Sequence, residues 1–236
     1  MTTPTFGRVL SAMVTPFDAE GDLDLDVAVA LASWLVDSQG HEGLVLAGTT
    51  GESPTLTHEE QGELCRAVRS AVSVPIVAGT GSNDTRAAVD LTRRAVAAGV
   101  DGILVVTPYY NRPSQAALVD HFTEVAAAGD GLPMLIYDIE VRTGRKVETE
   151  TLLTLGHDVE NIIGIKDAAG DVAETAMLLT EAPDGFEVYS GEDKLTLPLL
   201  SAGGSSLMAS FLALGIALGL ASHHEPSLDR DAFRAY

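Results

Sequence analysis

Short apolar runs alternate with helix-length amphipathic stretches from one end of the chain to the other. The runs fall at residues 9–14, 43–47, 75–78, 102–106, 134–137, 162–165 and 186–189. None shows clean polar alternation, the pattern of strands buried on both faces in a parallel sheet. The stretches between them carry readable caps. Thr57-His-Glu-Glu60 fits a capping box ahead of a helix over residues 63–72. Another helix is predicted after Asn83, running through residues 87–98 and ending at Gly99. A βα unit thus recurs every 25–35 residues or so, as an α/β barrel or a doubly wound sheet requires. No linker, low-complexity segment or break in composition divides the chain, so residues 1–236 read as a single domain.

Polar residues decide between the two architectures. A doubly wound sheet places a phosphate loop after its first strand. Here that strand leads into Thr15-Pro-Phe-Asp-Ala-Glu-Gly21, without the glycine fingerprint. Gly79-Thr-Gly-Ser-Asn-Asp84 comes closest, but Asp84 stands where the third glycine belongs. Neither a P-loop nor a Gly-x-Ser-x-Gly elbow is present. Reactive side chains instead cluster just past several strand ends: Thr49 and Thr50, Tyr109 and Tyr110, Tyr137, and Lys166. Convergence from different strand ends is how a (β/α)8 TIM barrel builds an active site, and the barrel is the predicted fold.

Composition narrows the partners. Thirty-four acidic against 14 basic residues give a formal net charge of −20. That balance argues against nucleic acid and against an anionic membrane surface, both of which call for clustered Lys and Arg. The single cysteine, Cys65, excludes an internal disulfide and a cysteine metal cluster, and its helical spacing reads as a buried, inert thiol. The first residues lack the basic and apolar regions of a signal peptide, and the longest apolar stretch, residues 207–221, is shorter than a bilayer span. A cytoplasmic location is expected. His223, His224 and Glu225 do not form a metal site, because adjacent histidines point in different directions; a surface loop is expected there.

Lys166 is one of three lysines, with Lys146 and Lys194. Closing the run Asn161-Ile-Ile-Gly-Ile-Lys166, its ammonium should emerge from a strand into an apolar interior. Desolvation there favours the neutral, nucleophilic amine. Position alone leaves a second reading equally open, an ion pair with Asp167 or another acid at the barrel mouth. Tyr137 ends the preceding predicted strand and could relay a proton to a carbinolamine, with Thr49 and Tyr110 continuing a hydroxyl chain. Arg142, in Val141-Arg-Thr-Gly144, offers a fork-shaped cation suited to a carboxylate.

Four segments together carry a resemblance: Gly48-Thr-Thr-Gly-Glu-Ser53, Thr107-Pro-Tyr-Tyr-Asn-Arg-Pro-Ser114, Tyr137 with Arg142-Thr-Gly144, and Ile163-Gly-Ile-Lys-Asp167. From about Gly7 to about Leu200 the chain resembles the 4-hydroxy-tetrahydrodipicolinate (dihydrodipicolinate) synthases, pyruvate-dependent class I aldolases with a (β/α)8 barrel. The resemblance implies that Lys166 forms an imine with pyruvate. It also implies a proton relay of Tyr137, Thr49 and Tyr110, the last reaching in from a neighbouring subunit of a homotetramer. Thr50 would hold the pyruvate carboxylate, Arg142 the carboxylate of L-aspartate 4-semialdehyde, and Gly191 belongs to the same substrate-binding set. Neither a metal nor an organic cofactor is implied. N-acetylneuraminate lyase and sugar-acid aldolases share the lysine and tyrosine, but the paired threonines and Arg-Thr-Gly favour the synthase. A truncated, poorly active homologue is the reading from another class.

The chain departs from that pattern in places. Glu140 stands where the family carries a proline, and a pairing of Glu140 with Arg142 is expected. In lysine-regulated relatives an acidic residue on the helix after the 79–83 loop grips the ligand's ammonium; the matching position here is Ala87, and Gln61 replaces a histidine. Beyond Leu200 the resemblance fades. Residues 207–221 hold either the eighth strand plus an insertion or an altered form of that region, and the family's helical C-terminal region does not follow.

Overall fold

The seven apolar runs and residues 206–210 form eight parallel strands in a computed structural model that describes residues 3–210. The first half of the chain runs β1 (Val9–Ala12), α1 (Leu25–Asp37), β2 (Gly43–Leu46), α2 (His58–Ala71), β3 (Ile76–Gly79), α3 (Thr85–Ala98), β4 (Gly102–Val106) and α4 (Gln115–Ala128). The second runs β5 (Met134–Asp138), the single turn α5 (Glu140–Thr143), α6 (Thr149–Asp158), β6 (Ile162–Asp167), α7 (Val172–Glu181), β7 (Glu187–Ser190), α8 (Thr196–Ser201) and β8 (Ser206–Ser210). Each strand pairs with the next, and β8 pairs with β1 through Leu10↔Met208, so the sheet closes into a barrel without a free edge.

The missing polar alternation has its cause in two separate cores. Leu44 and Leu46, Ile76 and Ala78, Ile103 and Val105, and Met134 and Ile136 face outward against Leu35, Leu64, Phe122 and other helix residues. Their strand neighbours Val45, Val77, Leu104 and Leu135 face inward and fill the barrel with Leu10, Met208, Phe6 and Tyr189. Burying one such leucine contributes roughly 2 kcal/mol, so both faces stabilise closure. Glycine is required where backbones crowd. A Cβ on Gly164 would lie 2.1 Å from the Glu187 carbonyl oxygen, and one on Gly102 2.2 Å from the Phe6 ring.

The caps behave as the sequence predicts. Thr57 and Glu60 form the reciprocal capping box, although α2 starts at once, at His58, rather than at residue 63. Asp84 is the N-cap of α3, accepting from the Arg86 N–H at 3.0 Å, which explains the failed phosphate fingerprint. Gly99 closes α3 in the left-handed conformation, φ +77°.

Strand limits differ by a few residues. β1 stops at Ala12, β3 begins after Pro75, and β5 and β6 run on to Asp138 and Asp167, so Lys166 lies inside its strand. β8 begins at Ser206, at the near edge of the region expected to hold it; the remainder of that region and the His223–His224–Glu225 loop lie outside the described residues. Cys65 is buried, and its surroundings push the thiol up to about 12, the inert state expected. No helix among the described residues is long and apolar enough to cross a membrane.

Candidate active site

Two neighbouring strands place the central pair. Tyr137 on β5 and Lys166 on β6 are direct register partners, and both point inward near the carboxyl end of the barrel. The Lys166 Nζ sits 4.1 Å from the centroid of the Tyr137 ring. Lys166 is 7% exposed, and burial lowers its pKa to about 8, opposed in part by the negative charge of Asp193. Among the described residues Lys166 makes no ion pair: Asp167 points the other way, toward Thr175 and the Ala169 N–H, and Asp193 is the acid whose charge reaches the amine. Burial raises the pKa of Tyr137, while a hydrogen bond with Thr49 and the charge of Arg142 act in the opposite sense and Glu192 adds to the rise.

Gly191 follows β7 and donates its N–H to the Asp167 carbonyl at 2.7 Å. A Cβ there would approach Lys166 Cε to 2.9 Å and Cγ to 3.0 Å, so the missing side chain is the room in which the lysine lies. Above this pair a cavity of about 330 Å3 is lined by Thr49, Val106, Tyr109, Ile139, Arg142 and Thr143, and extends toward Ser53, His58 and Gln61. Thr49 connects the levels, lining the cavity and bonding Tyr137. Lys166 and Tyr137 are not among the residues that line it.

The loops at this face are held in unusual conformations. Ala47 and Glu52 after β2, and Tyr110 and Arg112 after β4, are four of the five non-glycine residues with positive φ among the described residues. Tyr110 donates its N–H to the Thr143 carbonyl at 3.3 Å, and Arg112 Nε donates to the Gly144 carbonyl at 2.8 Å, tying the β4 loop to the turn that carries Arg142. The structure therefore assembles Lys166, Tyr137, Thr49, Arg142 and Gly191 within one chain. Tyr110 is left outside, 89% exposed at φ +72°. Thr50 occupies the same turn as Thr49, half-buried, without lining the cavity.

The expected pairing of Glu140 with Arg142 is absent: no ion pair joins them, and Glu140 occupies the exposed first turn of α5. Two residues apart on a helical turn, they face different directions. Sequence reasoning passed over Asp193, although an acid just past the end of β7 follows the same strand-end rule that singled out Lys166.

The sequence profile of the dihydrodipicolinate synthetase family matches residues 5–214. The chain belongs to this family. A 4-hydroxy-tetrahydrodipicolinate synthase of Moorella thermoacetica is 52% identical over 206 residues, which are 86% of this chain and 70% of that protein. Among solved structures of dihydrodipicolinate synthetase family members, one from Cyanidioschyzon merolae with lysine bound has a TM-score of 0.85 and 42% identity, covering 87% of this chain and 70% of its own. Dihydrodipicolinate synthase DapA-2 of Bacillus anthracis also has a TM-score of 0.85, at 40% identity, covering 93% of this chain and 77% of its own. The chain spans about two thirds of the length of the curated relatives it matches.

Proposed function

We propose that the chain is a lyase that condenses pyruvate with L-aspartate 4-semialdehyde through an imine on Lys166, the 4-hydroxy-tetrahydrodipicolinate synthase reaction of diaminopimelate and lysine biosynthesis. The observation that carries the reading is the enclosed Lys166 amine, 4.1 Å from the Tyr137 ring at the mouth of the barrel. The neutral amine adds to the C2 carbonyl of pyruvate, and the carbinolamine oxygen leaves as water after taking a proton from the Tyr137–Thr49 relay. Loss of a C3 proton gives the enamine, whose carbon attacks the aldehyde. The amine of the second substrate then displaces Lys166 by transimination, and the lysine returns free. The imine nitrogen is the electron sink, so these steps call on no further group.

Arg142, exposed on the cavity wall, offers a bidentate partner for the semialdehyde's carboxylate, and Thr50 with its backbone receives that of pyruvate. Tyr110 points away from its own chain, which supports a relay completed by a second copy in a homotetramer. We place this enzyme in the cytoplasm and read residues 1–236 as one barrel domain. The test is mass spectrometry after incubation with pyruvate and borohydride. A reduced adduct confined to Lys166 is expected; folded protein without an adduct, or one at Lys146 or Lys194, overturns the proposal.

A further inference from the structure

The amino end of the barrel, opposite the mouth, is closed by the residues that lead into β1. Gly43 and Gly102 are the first residues of β2 and β4, and both are shaped around Phe6. A Cβ on Gly102 would lie 2.2 Å from the Phe6 ring, and one on Gly43 2.6 Å from the Phe6 carbonyl oxygen. Phe6 is 1% exposed and packs with the inward residues of the strands, Leu10, Val77 and Met208 among them. The Ser206 hydroxyl donates to the Gly7 carbonyl at 2.5 Å and ties this strap to β8.

Tyr189 connects the strap to the site. It is the register partner of Lys166 on β7 and points inward, so Lys166 is flanked by Tyr137 on one side and Tyr189 on the other. Tyr189 is fully buried, and its hydroxyl turns back toward the amino end. There it donates to Glu187 Oε2 at 2.6 Å and accepts the Phe6 N–H at 3.2 Å. Glu187 Oε1 accepts from the Thr5 N–H at 2.8 Å and the Thr5 hydroxyl at 2.9 Å, so one carboxylate latches both strap and tyrosine. Two residues of parallel strand rise about 6.6 Å, a span that a tyrosine side chain bridges, so Tyr189 runs from the level of Lys166 down to the strap. Gly164, two residues before Lys166 on the inward side of β6, adds no side chain there. The floor beneath the lysine is therefore aromatic, with the Tyr189 and Phe6 ring centroids 6.2 Å apart.

We propose that residues 4–7 are a plug, latched by Glu187 and Tyr189, that keeps water from reaching the Lys166 side chain through the amino end of the barrel. Phe6 and Tyr189 are thereby positioning residues, acting on the surroundings of the amine without touching substrate. Substrate must enter at the mouth, so water is excluded most fully from below. That matches burial as the main cause of the lysine's pKa of about 8. Among the described residues, the ionisable groups facing Lys166 are Tyr137 from β5, Tyr189 from β7 and Asp193 from the turn after β7, and a change at Phe6 leaves all three in place. The catalytic value of the plug rests on the imine reading of Lys166; the exclusion of water does not.

The experiment follows acetylation of Lys166 by acetic anhydride across pH, read by peptide mass spectrometry, with Lys146 and Lys194 as internal controls. Wild type should be half-maximal near pH 8. Phe6→Ala should move that midpoint up by about one unit as water enters, with the controls unmoved. Phe6→Leu, which keeps an apolar plug, should stay close to wild type. Glu187→Gln keeps both rings but turns one accepting oxygen of the latch into a donor, and should shift the midpoint the same way by less. In the pyruvate and borohydride assay at pH 7.5, a one-unit rise leaves about eightfold less neutral amine, and Phe6→Ala should slow trapping by about that factor. A Phe6→Ala protein that melts cooperatively with the wild-type midpoint overturns the plug, as does a shift shared by all three lysines. If Phe6→Ala does not fold, an unmoved midpoint in Glu187→Gln overturns it instead. If wild type is acetylated near pH 8 but traps no pyruvate, the imine reading has failed, and the acetylation midpoints still decide the plug.

Discussion

Replacing Lys166 by Met separates the cost of burying this amine from its use. Its pKa falls from 10.5 to about 8, with burial the main cause. At pH 7.5 an amine of pKa 10.5 is neutral in about 0.1% of molecules, and one of pKa 8 in roughly 24%, so the barrel interior enriches the nucleophile roughly 240-fold. The same fall corresponds to about 3 kcal/mol of folding free energy. The unfolded chain holds the proton up to about pH 10.5 and the folded chain only to about 8. Stability therefore rises with pH between those values, and the cost is fully present below pH 8. Urea unfolding at pH 7 should find Lys166→Met more stable than wild type by up to about 3 kcal/mol, with the advantage shrinking by pH 10. In the wild type, the initial rate of borohydride-trapped adduct formation should be half-maximal near pH 8. Asp193→Asn should move that midpoint down, because Asp193 raises the lysine's pKa. A midpoint near 10, together with a Lys166→Met protein no more stable than wild type, would refute the reasoning.

Gly191→Ala puts a methyl 2.9 Å from Lys166 Cε; adduct formation should slow on the order of tenfold or more while the protein still melts cooperatively, and an unchanged rate would show that the lysine has room to spare. Mixing inactive Tyr110→Phe with inactive Lys166→Ala should restore activity in hybrid oligomers, since Tyr110 leaves its own chain; hybrids shown to form but inactive would count against a shared site. Free lysine should inhibit weakly, because Ala87 offers no carboxylate and the Gln61 amide is occupied with the Ser53 carbonyl at 3.0 Å; half-inhibition at submillimolar lysine would contradict this.

The barrel was legible because its strands are buried twice over. Val45 and Leu44 serve different cores, yet both must be apolar, and that produces the unbroken runs. Caps were equally readable at Thr57 and Gly99, whereas Asp84 was read only as a departure from a phosphate loop and proves to be the N-cap of α3. Strand ends were less so. Lys166 and Asp167 extend β6 past its apolar run because their backbone groups still pair with β5 and β7, and no hydropathy pattern reports that. β8 was hard to locate because serines stand at both of its ends and a long apolar stretch runs past it. The expected Glu140–Arg142 pair failed for a local reason: spacing was judged along the chain, whereas the helical turn over 140–143 sets the two side chains apart.

The strand-end rule itself explains what was found and what was passed over. A barrel strand of period two ends in a pair of residues, one turned into the mouth and one turned into the helix layer. At β5 and β6 the inward members are Tyr137 and Lys166, and the outward ones Asp138 and Asp167. The inward members attract notice from composition alone, since lysine occurs three times in the chain and tyrosine five. Aspartate carries no such signal among 34 acidic residues, most of which serve a solvated surface. What distinguishes Asp138 is burial with one carboxyl oxygen left without a partner, a property of its neighbours in space rather than of its place in the chain. Yet the same two-residue period that turns Lys166 into the barrel obliges Asp167 to face away from it, and its register partner Asp138 likewise. The strand ends that turn Tyr137 and Lys166 into the barrel thus place two carboxyl groups on the other face of the sheet.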